Sequence, residues 1–496
     1  MNPVNLAISS TDMTPFPRRL AVAVLVVIAW SSVPGARERS IAGNAQTAPA
    51  SARHVILVSL DGFPAAALED PRLPVPTIQR LIREGTRADA LIPVNPVVTW
   101  PNHTTFITGV TPARHEVLFN GTLVRDPAGA PPRVEPWRDK REMVKATTVY
   151  DRAHAAGLTT AQVDWVAIHN AETITWAFPE RPNPAGLVER ELVERGRLTA
   201  DEVARFNTGS SSAYRDLAWT DAAIHIVERH KPNLLLFHLL ALDSAHHTYG
   251  PGTLASATTM AFQDAQLARL LEAVERAGLK EQTSVILLAD HGFRIARRTI
   301  QPNVILRRQG LITGEGPNLR ADAWTMSWGG AAGMYLRDST QRAALVPRIS
   351  ELMRPVEGIA RVVTGADILA LGLPDPARSD QAPDLVLVAA DGYDFGRRDT
   401  GDVVGPVDAA HVGHHGAINT DPSMRALFVA WGHGVAPGRT LNDVRAVDVA
   451  PTIAEWLGVE LPDVEGRSLA NQLAPVTNRR TPTTEPQSSQ KTHRVF

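Results

Sequence analysis

The chain has 496 residues, of which 44% are hydrophobic and 21% charged, ordinary values for a globular protein able to bury a sizeable core. A formal net charge of -2 excludes a general electrostatic grip on nucleic acid or acidic membrane surfaces, so an anionic ligand must be held by local charge. There is no cysteine, which excludes disulfides and thiolate metal ligands and leaves Asp, Glu and His to bind any metal.

In chain order, Arg18 and Arg19 precede the apolar run Leu20–Trp30, and small residues follow at Ser31, Ser32, Gly35 and Ala36. The run is short for a membrane span and reads as an export signal over 1–36, with an uncleaved anchor as the alternative. A linker over 37–52 then leads into one large domain at 53–475. A periplasmic or secreted protein is expected, touching membrane only through that signal. Val55–Leu60 is an apolar run ending at Asp61-Gly62, as a buried strand entering a loop would. Thr77–Glu84 sets Ile78, Leu81 and Ile82 at helical spacing, with Gly85 as the stop.

The stretch 126–212 differs in texture, with six prolines between Pro131 and Pro184 and a charged helical pattern at Leu187–Arg195. Part of it is expected to be a cap inserted near the site; a surface excursion with no role there is the alternative. Helical patterns follow at Trp219–His230 and Ala261–Glu275. Strands are expected at Leu234–Leu242, ending at Asp243, and at Ser284–Ala289, ending at Asp290-His291. Asp384–Val388 and Ala426–Ala430 look similar. The tail 476–496 is polar and expected to be disordered. Strands alternating with helices predict an α/β fold, a mostly parallel central sheet flanked by helices on both faces. In such sheets ligands bind beyond the carboxyl ends of the strands, and three strand candidates end in Asp.

Those acids and nearby imidazoles form a constellation. Asp61, Asp243 and Asp290 end strands; His247 lies one helical turn beyond Asp243, His291 follows Asp290, and His415-Gly416 lies in a later loop. Three Asp and three His are enough for two three-ligand sites with open positions, a donor set that suits Zn²⁺. Pro101 fits the first position of a helix running to Gly109, which stands Thr99 at its amino end, where negative charge is favoured. A metal-coordinated threonine hydroxyl is an effective nucleophile; a plain helix cap is the bland alternative for Thr99.

The stretches Val58-Ser59-Leu60-Asp61-Gly62-Phe63, Thr99-Trp100-Pro101-Asn102-His103, Thr108-Gly109-Val110-Thr111-Pro112-Ala113-Arg114-His115, Asp243-Ser244-Ala245-His246-His247, Ala289-Asp290-His291-Gly292 and His415-Gly416 resemble the alkaline phosphatase superfamily, and within it the nucleotide pyrophosphatase/phosphodiesterase family. The resemblance runs in order from about His54 to Leu469. It implies two Zn²⁺ per chain, one held by Asp243, His247 and His415, the other by Asp61, Asp290 and His291 with the Thr99 oxygen. It further implies that Thr99 forms a covalent phosphothreonine, that Asn120 donates to a phosphoryl oxygen, and that Trp100 lines the leaving-group pocket. A buried core ring is the alternative for Trp100. His246 and His414 stand beside two of the implied ligands and offer alternatives; motif spacing favours His247 and His415. The chain departs from the family pattern at Glu116, where Gly is usual, at Ala241-Leu242, where an acidic-Pro step is usual, and at His238, where an aromatic is expected.

The related monoesterases carry a Lys-x-Arg pair that is missing around Asp164–Arg181, which favours a phosphodiester or nucleotide pyrophosphate substrate. Arg294 and a lysine of the cap remain candidates for an extra cation. The expected partner is a small phosphoester or nucleotide, with no stable nucleic-acid complex. The alternatives are a phosphomonoesterase, a phosphonate hydrolase or an exported metal-dependent binding protein.

Overall fold

The computed structural model describes residues 54–475; the expected export signal, the linker and the tail from 476 lie outside the described residues. In chain order the principal strands are β1 (His54–Leu60), β2 (Thr86–Ala88), β3 (Thr160–Val163), β4 (Trp176–Phe178), β5 (Leu234–Leu239), β6 (Thr283–Leu288), β7 (Ala323–Ser327), β8 (Ala331–Leu336), β9 (Ile359–Thr364), β10 (Leu385–Ala389), β11 (Phe428–Gly432) and β12 (Arg439–Leu441). The principal helices are α1 (Pro76–Glu84), α2 (Thr99–Thr108), α3 (Leu187–Glu194), α4 (Ala200–Gly209), α5 (Ser212–His230), α6 (Ala241–Tyr249), α7 (Leu254–Arg276) and α8 (Val449–Leu457).

Eight strands form the central sheet in the order β12-β2-β11-β6-β1-β5-β3-β4. All neighbours are parallel except β11, which runs antiparallel to both β2 and β6. Val58 of β1 registers with Phe237 of β5 on one side and Leu287 of β6 on the other, so these three strands end at one edge. β5 and β6 are buried along their whole length, as is β1 beyond its first residue, because helices cover both faces of a parallel sheet. One helical layer brings α1, α5 and α7 together; α2, α8 and the short helix Val149–Ala155 pack as another. The apolar side chains of the sheet and of both layers join in one core, with Phe106, Trp219 and Phe237 among the largest buried rings. Among the described residues, no helix is long and apolar enough to cross a membrane.

Two local expectations change. The strand expected over Leu234–Leu242 stops at Leu239, and Asp243 sits in the first turn of α6. The cause is the buried Asp216 of α5, whose two carboxylate oxygens accept from the backbone N–H groups of Leu240 (2.8 Å) and Ala241 (3.0 Å) and so satisfy the helix start. The strand expected at Asp384–Val388 exists as β10, but in a separate four-stranded antiparallel sheet, β7-β8-β10-β9, with its own apolar cluster around Met334, Leu385 and Leu387. An apolar run cannot announce which sheet it will join. The stretch 126–212, part of which is expected to form a cap, also carries β3 and β4, which extend the central sheet beyond β5.

Candidate functional site

The site lies at the carboxyl edge of β6-β1-β5. Asp61 follows β1 directly, its backbone N–H held by the Leu239 carbonyl at 2.9 Å. Gly62 then turns with φ +74°, donates its N–H to Asp290 Oδ1 at 3.1 Å, and passes so close to Phe293 that a Cβ would come within 2.6 Å of that ring. Asp290 and His291 follow β6, Asp243 and His247 share one face of α6, and His415 arrives on the loop before β11.

These six residues form two clusters, Asp243/His247/His415 and Asp61/Asp290/His291, each with its donor atoms within 4.8 Å of one another. In the first, Asp243 Oδ1 lies 3.3 Å from His247 Nε2 and 3.9 Å from His415 Nε2. In the second, His291 Nε2 lies 3.4 Å from Asp61 Oδ1 and 3.3 Å from Asp290 Oδ2. The clusters adjoin, since the His291 and His415 rings stack with centres 3.9 Å apart and planes 16° from parallel.

Three features fit these residues to divalent cations. First, Asp61 Oδ1, Asp243 Oδ1, Asp290 Oδ2 and His291 Nε2 are buried without a hydrogen-bond partner, although buried polar atoms are almost always satisfied. Second, Nδ1 of each histidine faces a backbone carbonyl: His247 faces Gly413 (2.9 Å), His291 faces Gly292 (3.2 Å) and His415 faces Val97 (3.0 Å). A carbonyl only accepts, so Nδ1 carries the proton and the neutral ring offers its Nε2 lone pair to the cluster. Third, burial and then the carboxylates of Asp290 and Asp243 drive the Asp61 carboxyl well above its ordinary range, a repulsion that cations relieve. Burial lowers His291 to about 3 and His415 well below its ordinary value, favouring neutral rings. Burial opposes both shifts within the first pair: the Asp243 carboxyl is lowered chiefly by His247, and His247 is raised by Asp243.

The neighbouring imidazoles are occupied elsewhere. His246 faces the Gly62 carbonyl (3.1 Å) and Ser256 Oγ (2.7 Å), and His414 faces the His411 carbonyl (2.9 Å) and Asp394 Oδ2 (3.1 Å). With both ring nitrogens engaged, neither joins a cluster.

Thr99 is buried as the first residue of α2, and Pro101 stands third rather than first. The helix closes at Gly109, where φ +70° allows its N–H to reach the Thr105 carbonyl at 2.9 Å. The start of α2 flanks both clusters: the Val97 carbonyl holds His415, while His103, bonded through Nδ1 to the Thr99 carbonyl at 2.9 Å, lies 3.7 Å from Asp290 Oδ2. Asn120 Oδ1 accepts from the Trp100 backbone N–H at 3.1 Å, and its amide N–H₂ donates to no group among the described residues. Trp100 is both a packed ring, against Val117, Met143 and Val166, and a wall of a cavity of about 350 Å³. Trp137, His169 and Arg181 face it there, with the Arg181 guanidinium 4.0 Å over the Trp137 ring. Arg294 is buried and bound to Asp421 (3.0 Å) and the Tyr393 carbonyl (2.8 Å), so it serves the fold.

Sequence reasoning assigned no role to His238, which registers opposite Ser59 and reaches Asp61 Oδ2 through Nε2 at 3.1 Å and Asp164 Oδ2 through Nδ1 at 3.0 Å. Its only signal was an imidazole where the resemblance expects an aromatic. Glu116 takes φ +61°, a left-handed conformation that explains why glycine is the usual residue there.

Residues 55–418 match the family described as type I phosphodiesterase / nucleotide pyrophosphatase. The chain is 24% identical over 238 residues to ectonucleotide pyrophosphatase/phosphodiesterase family member 3 of Bos taurus, covering 48% of this chain and 24% of that protein. It is 27% identical over 245 residues to the venom phosphodiesterase of Macrovipera lebetinus, covering 48% and 25%. The matches thus span about a quarter of the length of these relatives. Among solved structures, human ectonucleotide pyrophosphatase/phosphodiesterase 5 superposes with a TM-score of 0.64 at 18% identity, covering 85% of this chain and 100% of that one. The murine counterpart, solved as an inactive threonine-to-alanine variant in complex with AMP, superposes with a TM-score of 0.63 at 18% identity. These structures share the fold.

Proposed function

Because the chain belongs to the type I phosphodiesterase / nucleotide pyrophosphatase family, we propose that it is an exported hydrolase of phosphodiester or nucleotide phosphoanhydride bonds that uses Thr99 as its covalent nucleophile. The observation that carries this reading is the pair of adjoining Asp/His clusters, with unsatisfied atoms turned inward, at the amino end of α2. Asp243, His247 and His415 would hold one zinc ion, and Asp61, Asp290 and His291 the other. When bound, such a pair lowers the pKa of a coordinated hydroxyl and stabilises the charge on attacking and leaving oxygens.

The chain's own residues supply the rest. Thr99 Oγ, relieved of its proton, attacks phosphorus in line; the bond to the leaving oxygen breaks, and a phosphothreonine results. Water then displaces the threonine oxygen and frees the phosphoryl product. The free amide N–H of Asn120 donates to a non-bridging oxygen, where negative charge develops. Trp100, Trp137 and Arg181 offer aromatic faces and a cation to the leaving group, which supports a nucleotide substrate and a capping role for the part of 126–212 that carries Trp137 and Arg181. The AMP bound by the murine neighbour agrees with that substrate class. The names of the relatives, ectoenzymes and a venom enzyme, support a periplasmic or secreted location.

The test compares a p-nitrophenyl phosphodiester with the monoester, using metal-replete wild type and Thr99→Ala. Diester turnover should exceed monoester turnover, and Thr99→Ala should lower it at least about 10³-fold with zinc content unchanged. Retention of most activity by the variant would refute the nucleophile. A strong monoester preference would overturn the diesterase reading, and hydrolysis of neither substrate would leave a binding protein.

A further inference from the structure

A third set of metal-type donors lies away from the strand edge and shares no residue with the two clusters above. Glu191 projects from α3; His225 and His230 lie near the end of α5. Both imidazole Nε2 atoms approach the same oxygen, Glu191 Oε2, at 2.7 Å, and the three donor atoms lie within 4.8 Å of one another. From these residues we infer a third divalent-cation site, with a donor set that suits zinc, that clamps α3 onto α5.

The convergence is not what helix geometry alone produces. Positions five apart on a helix diverge by about 140° around its axis, so side chains that meet there must be turned towards a common point. A carboxylate has two oxygens and satisfies two separate donors most simply with one each. Here both rings converge on one oxygen, and no hydrogen bond to Oε1 is formed among the described residues. Three donor atoms gathered within 4.8 Å of one another are an arrangement that a cation can organise once these hydrogen bonds give way.

The ring planes are set as well. His230 stacks on Trp176 of β4, with centres 4.7 Å apart and planes 20° from parallel, and stands nearly perpendicular (83°) to His225 at 5.8 Å. His225 is buried, and a metal there would take both rings neutral and Glu191 ionised. Two imidazoles and one carboxylate are a zinc donor set, with the fourth position left to water. His225 also borders a cavity of about 450 Å³. Binding requires each neutral ring to carry its proton on Nδ1 instead of Nε2, so that the Nε2 lone pair faces the ion and the ion replaces the hydrogen bonds that now join the helices.

The test counts zinc by mass spectrometry in the full chain after loading with excess zinc and desalting, in wild type, Glu191→Gln and His230→Ala. Each variant should hold one zinc fewer than wild type. That difference is independent of the total, so Asp290→Asn run in parallel separates failure of this site from failure of the catalytic-site reading. Added zinc should also raise the unfolding midpoint of wild type more than that of Glu191→Gln, while phosphodiester turnover stays within about twofold. Glu191→Gln keeps the side-chain shape, so its count decides the matter even if His230→Ala misfolds. Equal zinc content in wild type and Glu191→Gln would overturn the proposal.

Discussion

His238 shows how one side chain can govern a site it does not join. Both of its nitrogens face carboxylates, Asp61 at 3.1 Å and Asp164 at 3.0 Å. Burial by itself would lower its pKa, but the two acids more than offset this, and the ring is held well above its ordinary value as a cation. Its Nε2–H occupies Asp61 Oδ2 and so leaves Oδ1, buried and unpartnered, turned towards His291. Outer partners of metal ligands typically contribute 10- to 100-fold to affinity. His238→Gln is therefore expected to weaken zinc binding by about 10- to 100-fold, measured by competition with a chelator, with activity recovering at high zinc. Unchanged zinc affinity would show that Asp61 needs no such support.

At the scale of elements, the site depends on where helices begin. The start of α1 is satisfied by Asp264, which accepts from the N–H groups of Thr77 (3.0 Å) and Ile78 (2.8 Å), and the start of α6 by Asp216. Asp216 fixes the first turn of α6, and that turn carries Asp243. Burial raises the Asp216 carboxyl to about 6, against the pull of its hydrogen bonds from Gln263, Leu240 and Ala241. A carboxyl whose folded pKa exceeds its unfolded value of 3.8 binds its proton more tightly when folded. Its contribution to stability is thus fully present below pH 3.8 and is lost as pH rises to about 6. Asp216→Asn should remove this slope, seen as unfolding midpoints that diverge from wild type across that window; parallel curves would contradict the assignment.

On the scale of the whole molecule, β6, β1 and β5 end together and deliver the two clusters to one edge, while α2 and the loop bearing His415 close over it. Four buried atoms without partners, three carboxylate oxygens and the His291 Nε2, are a cost to the fold that bound cations remove. A ligand that binds only the folded state stabilises it by roughly 2.7 to 4.1 kcal/mol at 100 to 1,000 times its Kd. Chelation should therefore lower the unfolding midpoint, and added zinc should restore it; an unmoved midpoint would separate the clusters from metal.

Much of this was written in local sequence. The apolar runs at Val55–Leu60 and Ser284–Ala289 end in Asp, the spacing of Asp243 and His247 puts both on one helical face, and Thr99 stands at the amino end of a helix that stops at Gly109. Each of these depends only on residues within a turn or a strand of one another, so period and punctuation reveal it. Contacts between distant segments were not legible. No local pattern says that β10 joins a second sheet, that β3 and β4 extend the first, or that Asp216 cuts β5 short at Leu239. Nor does it say that His238 braces Asp61, that the Gly413 and Val97 carbonyls aim His247 and His415, or that Glu191 meets His225 and His230. The chemistry available can be read along the chain, because side-chain identity and short-range periodicity are local properties. Which groups meet, and which ring nitrogen is free, follows from folding, because both depend on segments far apart in the chain brought into hydrogen-bonding range.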